Sequence, residues 1–187
     1  MIGSHNTMSY LKPVHWYHRI LSRWSKCQTL TIYQQYKLGV KYFDIRIRKI
    51  NGCYHFVHNK VDYGKVDNKV IDFLSRINAR IRLILDIRKE PNNDIKEKND
   101  FYEYIAFLHK KGVVIDRAIT FWNWKTIYER CGLTKLVEED HASVKLETEH
   151  YILQGLKPYA KLVNPNYSFN DNSNIVYLLD FVEYVGR

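Results

Sequence analysis

Cysteine is scarce: Cys27, Cys53 and Cys131 are the whole set, and no two of them stand at CxxC spacing. That argues against a zinc cluster and against a disulfide framework, both of which need closely spaced or evenly paired cysteines. A reducing compartment is the simpler expectation. No apolar run approaches the roughly 20 residues of a membrane-spanning helix. The N-terminus also lacks the charged-then-apolar order of a secretory signal, so the expected location is cytoplasmic. Internal repeats and low-complexity tracts are missing too, which excludes a solenoid or a long disordered arm. No groove-reading or single-strand-binding motif appears, and no nucleic-acid partner is expected.

What is present fits one domain over residues 1–187, long enough to bury a core but short for a complete eight-unit barrel. The formal charge of +9 favours phosphate-rich partners, whether lipid headgroups or nucleotides, without choosing among them. Fifteen tyrosines raise the aromatic share; Trp122, Trp124 and the tyrosines suit core, rim or lipid contact alike.

The hydrophobic pattern predicts a helix over Trp24 to Leu38, closed by Gly39, and then a switch to period 2 from Val40 to Ile47. Further strands are predicted at Tyr54 to His58, Leu83 to Arg88, Ile115 to Trp122 and Ile175 to Val182. Helices are predicted at Val66 to Asn78, Phe101 to Lys111 with Asp100 as cap and Gly112 as stop, Lys125 to Cys131, and Tyr151 to Leu162. Strands alternating with helices imply an α/β fold with a mainly parallel sheet.

Along Tyr42 to Arg48 the parity separates Phe43, Ile45 and Ile47 from Asp44, Arg46 and Arg48. The apolar set suits packing under helices. If the sheet curls into a barrel, the charged set points toward its axis, near the end where barrel sites are built. The same parity groups Asp86 and Arg88 on the next strand, as an anion site or as a structural ion pair. His58 shares its parity with Phe56, while His55 falls on the other face. Two imidazoles such as His5 and His58, with ordinary pKa values near 6.5, suit general base and general acid around an anion-stabilising arginine.

The run from Gly3 to Tyr10, then Trp24, Gln28, Ile32 and Gln35, then Gly39 to Arg46, and then Phe56-Val57-His58 resembles the X domain of phosphatidylinositol-specific phospholipases C. The likeness is greatest to bacterial and X-domain-only members. Leu83 to Glu90 and Leu178 to Val182 are similar to later strands of that family, whereas the match is weak from Pro91 to Asn174. The resemblance implies a compact, distorted or incomplete TIM-type barrel and two-step phosphodiester cleavage through an internal cyclic phosphate. It implies His5 as base, His58 as acid, Arg46 as phosphate-binding cation, Asp44 as its orienting carboxylate and Asp180 as partner of the base. Asn6 falls beside His5 as a substrate contact, with Asp86 and Arg88 as further candidates. Asn59 stands where the family usually has glycine.

No metal or other cofactor is expected, because arginines directed into the site would oppose a calcium ion that needs several oxygen ligands. The expected partner is a phospholipid or other phosphodiester, with peripheral contact at anionic membranes. Two other readings stand beside it: a non-catalytic binder of anionic headgroups or nucleotides, and a phosphodiesterase acting on a soluble nucleotide.

Overall fold

The computed structural model describes residues 1–86, 95–120, 126–129, 137–140 and 175–185. Nine strands among them form one sheet: β1 (Ile2–Ser4), β2 (Tyr42–Ile50), β3 (Cys53–His58), β4 (Val61–Lys65), β5 (Arg80–Leu85), β6 (Ile115–Thr120), β7 (Thr126–Glu129), β8 (Val137–Asp140) and β9 (Ile175–Leu179). The order is β7-β6-β5-β2-β1-β9-β8, with the hairpin of β3 and β4 attached to β2. Pairings from β6 to β5, β2, β1, β9 and β8 are parallel; β7 and the hairpin run antiparallel. The sheet curls into an incomplete TIM-type barrel, as expected. It brings the first strand against the last described one, so that Ser4 pairs with both Phe43 and Leu179.

Phe43, Ile45, Ile47, Leu83 and Leu85 form the covered face of the central strands. Against them lie Ile32 of α2 (Ile32–Lys37), Val70, Ile71 and Leu74 of α3 (Asn68–Arg76), and Phe101, Ile105 and Leu108 of α4 (Ile95–Lys110). The helical residues recur at three- and four-residue spacing, which puts them on one stripe. Each such side chain stabilises the fold by about 1.5–3 kcal/mol through burial. On the barrel's inner side, Tyr42 packs with Val176 and Leu178, and its hydroxyl donates to Asp116. Gly3 has to be glycine here, since a Cβ would stand 2.9 Å from side-chain carbons of both Val176 and Leu178.

Of the predicted helix from Trp24 to Leu38 only α2 and the last two residues of an earlier helix, α1 (His18–Ser25), are helical, and most of α1 was not predicted. The break has a cause: the Ser9 hydroxyl accepts the backbone N–H groups of both Cys27 and Gln28, holding them out of helical geometry. Thr31 then restarts the chain with a capping box to Gln34. Asp100 lies inside α4 rather than at its cap, and its carboxylate takes Lys49. Gly39 and Gly112 do close α2 and α4, at φ +94° and +87°. The predicted helix at Lys125 to Cys131 is contradicted, since Thr126–Glu129 pairs antiparallel with β6. The predicted last strand ends at Leu179, where Phe181 turns the chain into a short 3-10 segment. The predicted helix from Tyr151 to Leu162 lies outside the described residues, as do Trp122 and Trp124.

Candidate active site

His5 and Asp180 follow directly on the ends of the neighbouring strands β1 and β9, where a parallel barrel builds its sites. The His5 backbone N–H donates to the Leu179 carbonyl at 3.1 Å. Gln28, fully buried, fixes the same corner: its amide nitrogen donates to the His5 and Leu179 carbonyls, and its oxygen accepts from the Val182 N–H. The imidazole Nδ1 of His5 lies 2.8 Å from Asp180 Oδ1, and its Nε2 lies 2.6 Å from a terminal nitrogen of Arg46. A carboxylate accepts and a guanidinium donates, so this pairing assigns the ring proton to Nδ1 and leaves the lone pair on Nε2. His5 is thereby held in the tautomer a general base needs.

Asp44 and Arg46 share the inward face of β2, as the parity predicts. Asp44 is wholly buried and accepts from the Asn6 backbone N–H, from Arg46 and, through its other oxygen, from Arg82 Nε at 3.0 Å. Burial by itself would raise the Asp44 carboxyl. The charges of Arg46 and Arg82, with His5, outweigh that and hold it well below the ordinary carboxylate range. The guanidinium of Arg46 thereby stands beside the His5 ring while bonded to Asp44, a donor that suits an anionic reactant.

His58 ends β3, and its Nδ1 donates to the Ser25 carbonyl at 2.6 Å, leaving Nε2 as the reactive nitrogen. Its ring centroid lies 6.3 Å from that of His5 with the planes nearly perpendicular. Burial first, and the Arg46 charge second, push the His58 pKa down to about 3, against a smaller opposite effect of the Ser25 carbonyl. His58 is therefore neutral near pH 7.

His5, Asn6, Asp44, Arg46, His58 and Asp180 thus form one buried polar cluster. Asn6 adopts φ +42° and leaves its side-chain nitrogen buried with no hydrogen-bond acceptor among the described residues, a donor a substrate oxygen would satisfy. Asp86 instead takes Arg48, which also reaches the Asn59 carbonyl; Arg88 lies outside the described residues. His55 forms its own pair with Asp62. Residues following the site adopt left-handed backbone three times: Asn6 after His5, Asn59 after His58, and Phe181 after Asp180. Asn59 at φ +53° explains how asparagine substitutes for glycine there, since asparagine tolerates that region better than other side chains.

Sequence reasoning missed Arg82, Cys27 and the carbonyl of Ser25. Arg82 carries the same parity as Asp86, and the register Asp44 to Arg82 makes it the second cation of the cluster. His5, Cys27 and Asp180 offer donor atoms within 4.8 Å of one another, a set able to hold a soft metal ion.

No family model matches the chain. It is 28% identical over 103 residues to a 1-phosphatidylinositol phosphodiesterase of Listeria monocytogenes, a match covering 54% of this chain and 30% of that protein. A PI-PLC X-box domain-containing protein of Dictyostelium discoideum is 40% identical over 40 residues, 21% of this chain and 5% of the other. These matches span less than a third of either relative's length. Among solved structures, the phosphatidylinositol-specific phospholipase C from Listeria monocytogenes superposes with a TM-score of 0.57 at 14% identity, covering 99% of this chain and 89% of that one. The chain is thus similar in sequence to phosphatidylinositol phosphodiesterases and X-box proteins, and it has the phosphatidylinositol-specific phospholipase C fold as an incomplete barrel.

Proposed function

We propose that the chain is a phosphodiesterase cleaving an inositol phospholipid or a related phosphodiester by histidine acid-base catalysis, with no metal in the chemical step. The observation that carries this reading is the His5 ring held between Asp180 and Arg46, with the second imidazole, His58, at a centroid distance of 6.3 Å.

In the first step His5 Nε2 takes the proton of a hydroxyl on the substrate itself. That oxygen bonds to phosphorus, the bond to the leaving oxygen breaks, and His58 Nε2 protonates the leaving group. Attack by a neighbouring hydroxyl closes a cyclic phosphate and avoids the entropy cost of a bimolecular encounter. Water then opens the ring with the two histidines in exchanged roles. Arg46, turning from His5 to the phosphate oxygens, neutralises charge that grows in the transition state. His58 becomes competent only when the anionic phosphate offsets Arg46 and raises its basicity, so acid and substrate arrive together.

A lipid substrate is supported by a different surface. Val14, Trp16, Tyr17, Ile20 and Leu21 are exposed within eight residues, Trp16 at 75%. No acidic residue precedes Asp44, while Lys12, Arg19 and Lys26 accompany the apolar group. Aromatic and aliphatic side chains among cations suit an anionic bilayer, and α1 ends at Ser25, whose carbonyl holds His58.

Phosphorus NMR of the protein in EDTA with phosphatidylinositol vesicles is the test, and a cyclic inositol phosphate is the expected product. No cleavage across inositol lipids, glycerophosphodiesters and cyclic or linear nucleotides refutes the enzymatic reading. The second reading, an anionic-headgroup binder without turnover, draws on the lowered pKa of His58, which disfavours its acid form. It predicts salt-sensitive flotation with anionic vesicles, unaltered by His5→Ala and without product.

A further inference from the structure

We propose that His5, Cys27 and Asp180 form a binding site for a thiophilic divalent ion of the zinc class, and that its occupation switches the His5 base off. The inhibitory consequence rests on the phosphodiesterase reading; the ion site does not.

Imidazole, thiolate and carboxylate are the donor types zinc prefers, and three protein donors with a water complete its tetrahedron. One ring nitrogen of His5, the Cys27 Sγ and an Asp180 oxygen already lie within 4.8 Å of one another, all on buried residues, and Nδ1 is the nitrogen that faces Asp180. Their backbones are fixed independently of any ion. His5 is bonded to Leu179, the Cys27 N–H to Ser9, and the Cys27 carbonyl accepts from the Phe181 N–H beside Asp180. Bonds of about 2.0–2.3 Å in a tetrahedron put ligand atoms roughly 3.3–3.5 Å apart. The 2.8 Å contact of His5 with Asp180 therefore opens by about 0.5 Å, and no separation in the set has to close by more than about 1.5 Å. Side-chain rotation suffices for both. The thiol disfavours calcium and magnesium, which take oxygen ligands.

The proton balance gives the effect. Binding releases the Cys27 thiol proton, and the ion takes the place of the His5 Nδ1 proton, which moves to Nε2. That nitrogen then has no lone pair for the attacking hydroxyl. It also presents a hydrogen to the Arg46 nitrogen that stands 2.6 Å away, so the guanidinium must leave. Thiolate and carboxylate together balance the charge of the ion. Cys27 performs no step of the proposed cleavage, so an ion ligand is a role that the reaction leaves open for it.

The experiment titrates metal-free protein with cobalt(II), which reports thiolate ligation by a charge-transfer band and tetrahedral geometry by its visible spectrum, and then displaces it with zinc(II). One equivalent producing the band, its loss in Cys27→Ser, and its retention in Cys53→Ser are the expected results. Cys27→Ala serves if the serine variant does not fold. In parallel, zinc inhibits phosphatidylinositol cleavage reversibly with EDTA, and each variant's inhibition is scored against its own metal-free rate. At least a tenfold higher zinc concentration is expected for half-inhibition of the Cys27 variant. No thiolate-cobalt band, or a band undiminished in the Cys27 variants, overturns the site. A Cys27-dependent band in a protein that cleaves no phosphodiester overturns the enzymatic reading and leaves the ion site standing.

Discussion

Removing the charge of Asp44 while keeping its shape should expose the electrostatic design of the site. In Asp44→Asn the amide oxygen can replace only one of the two carboxylate oxygens. If it serves the Asn6 N–H and Arg46, the amide nitrogen faces the Arg82 donor that Oδ1 now accepts at 3.0 Å. Two guanidinium groups at 8% and 6% exposure then share no anion at this position. Breaking a buried pair in this way costs about 3–5 kcal/mol. For a chain of this size each kcal/mol lowers Tm by about 2–4 °C, so the loss is roughly 6–20 °C. The carboxyl is held below its unfolded value, so its stabilisation is complete above about pH 4 and is lost as pH falls through the folded value. The gap between wild type and variant is thus widest near neutrality and narrows in acid. Inorganic phosphate should stabilise the variant more than wild type, because it supplies the missing anion. Urea unfolding at neutral pH, with and without phosphate, measures both effects. A variant within about 0.5 kcal/mol of wild type, with no added phosphate response, refutes this account of Asp44.

Arg46→Lys keeps the charge but loses the planar fork, and cleavage should fall by about 10²–10³, while wild-type turnover is the same in EDTA as in calcium; a calcium requirement would contradict the assignment. At position 59 the left-handed backbone predicts that Asn59→Gly is tolerated and that Asn59→Val costs about 1–2 kcal/mol in chemical denaturation. His58 titrates at about 3 in the fold against an ordinary 6.5, so stability is full above pH 6.5 and falls as pH drops toward 3. The slope from this one proton reaches about 1.4 kcal/mol per pH unit, and His58→Gln should flatten it in urea titrations over that window.

The central strand was legible because one face of β2 meets three helices and the other meets the charged cluster, so its alternation survives intact. The corner at His5 and Asp180 was readable only through resemblance, since two residues 175 positions apart become neighbours by strand pairing that no local pattern encodes. Arg82 escaped because Arg80 and Arg82 interrupt the apolar run that marks a strand, and its role depends on the register opposite Asp44. The short β4 was hidden by its length and by Gly64. Thr126–Glu129 was misread although Thr126, Ile127 and Tyr128 favour strand, because four residues are too few to display a period. The interruption at Cys27 and Gln28 was illegible because the Ser9 hydroxyl that holds their N–H groups is a distant acceptor.

The roles of the two histidines separate most directly when the leaving group is changed. A phosphodiester of inositol with nitrophenol needs no acid to expel its leaving oxygen, whereas the lipid does. With the lipid, His5→Ala and His58→Ala should each lose about 10²–10⁴ in rate. With the nitrophenyl ester, His58→Ala should regain most of that loss and His5→Ala should regain none. Equal losses for both variants on both substrates, or rescue of His5→Ala instead, would contradict the assignment of His5 as base and His58 as acid.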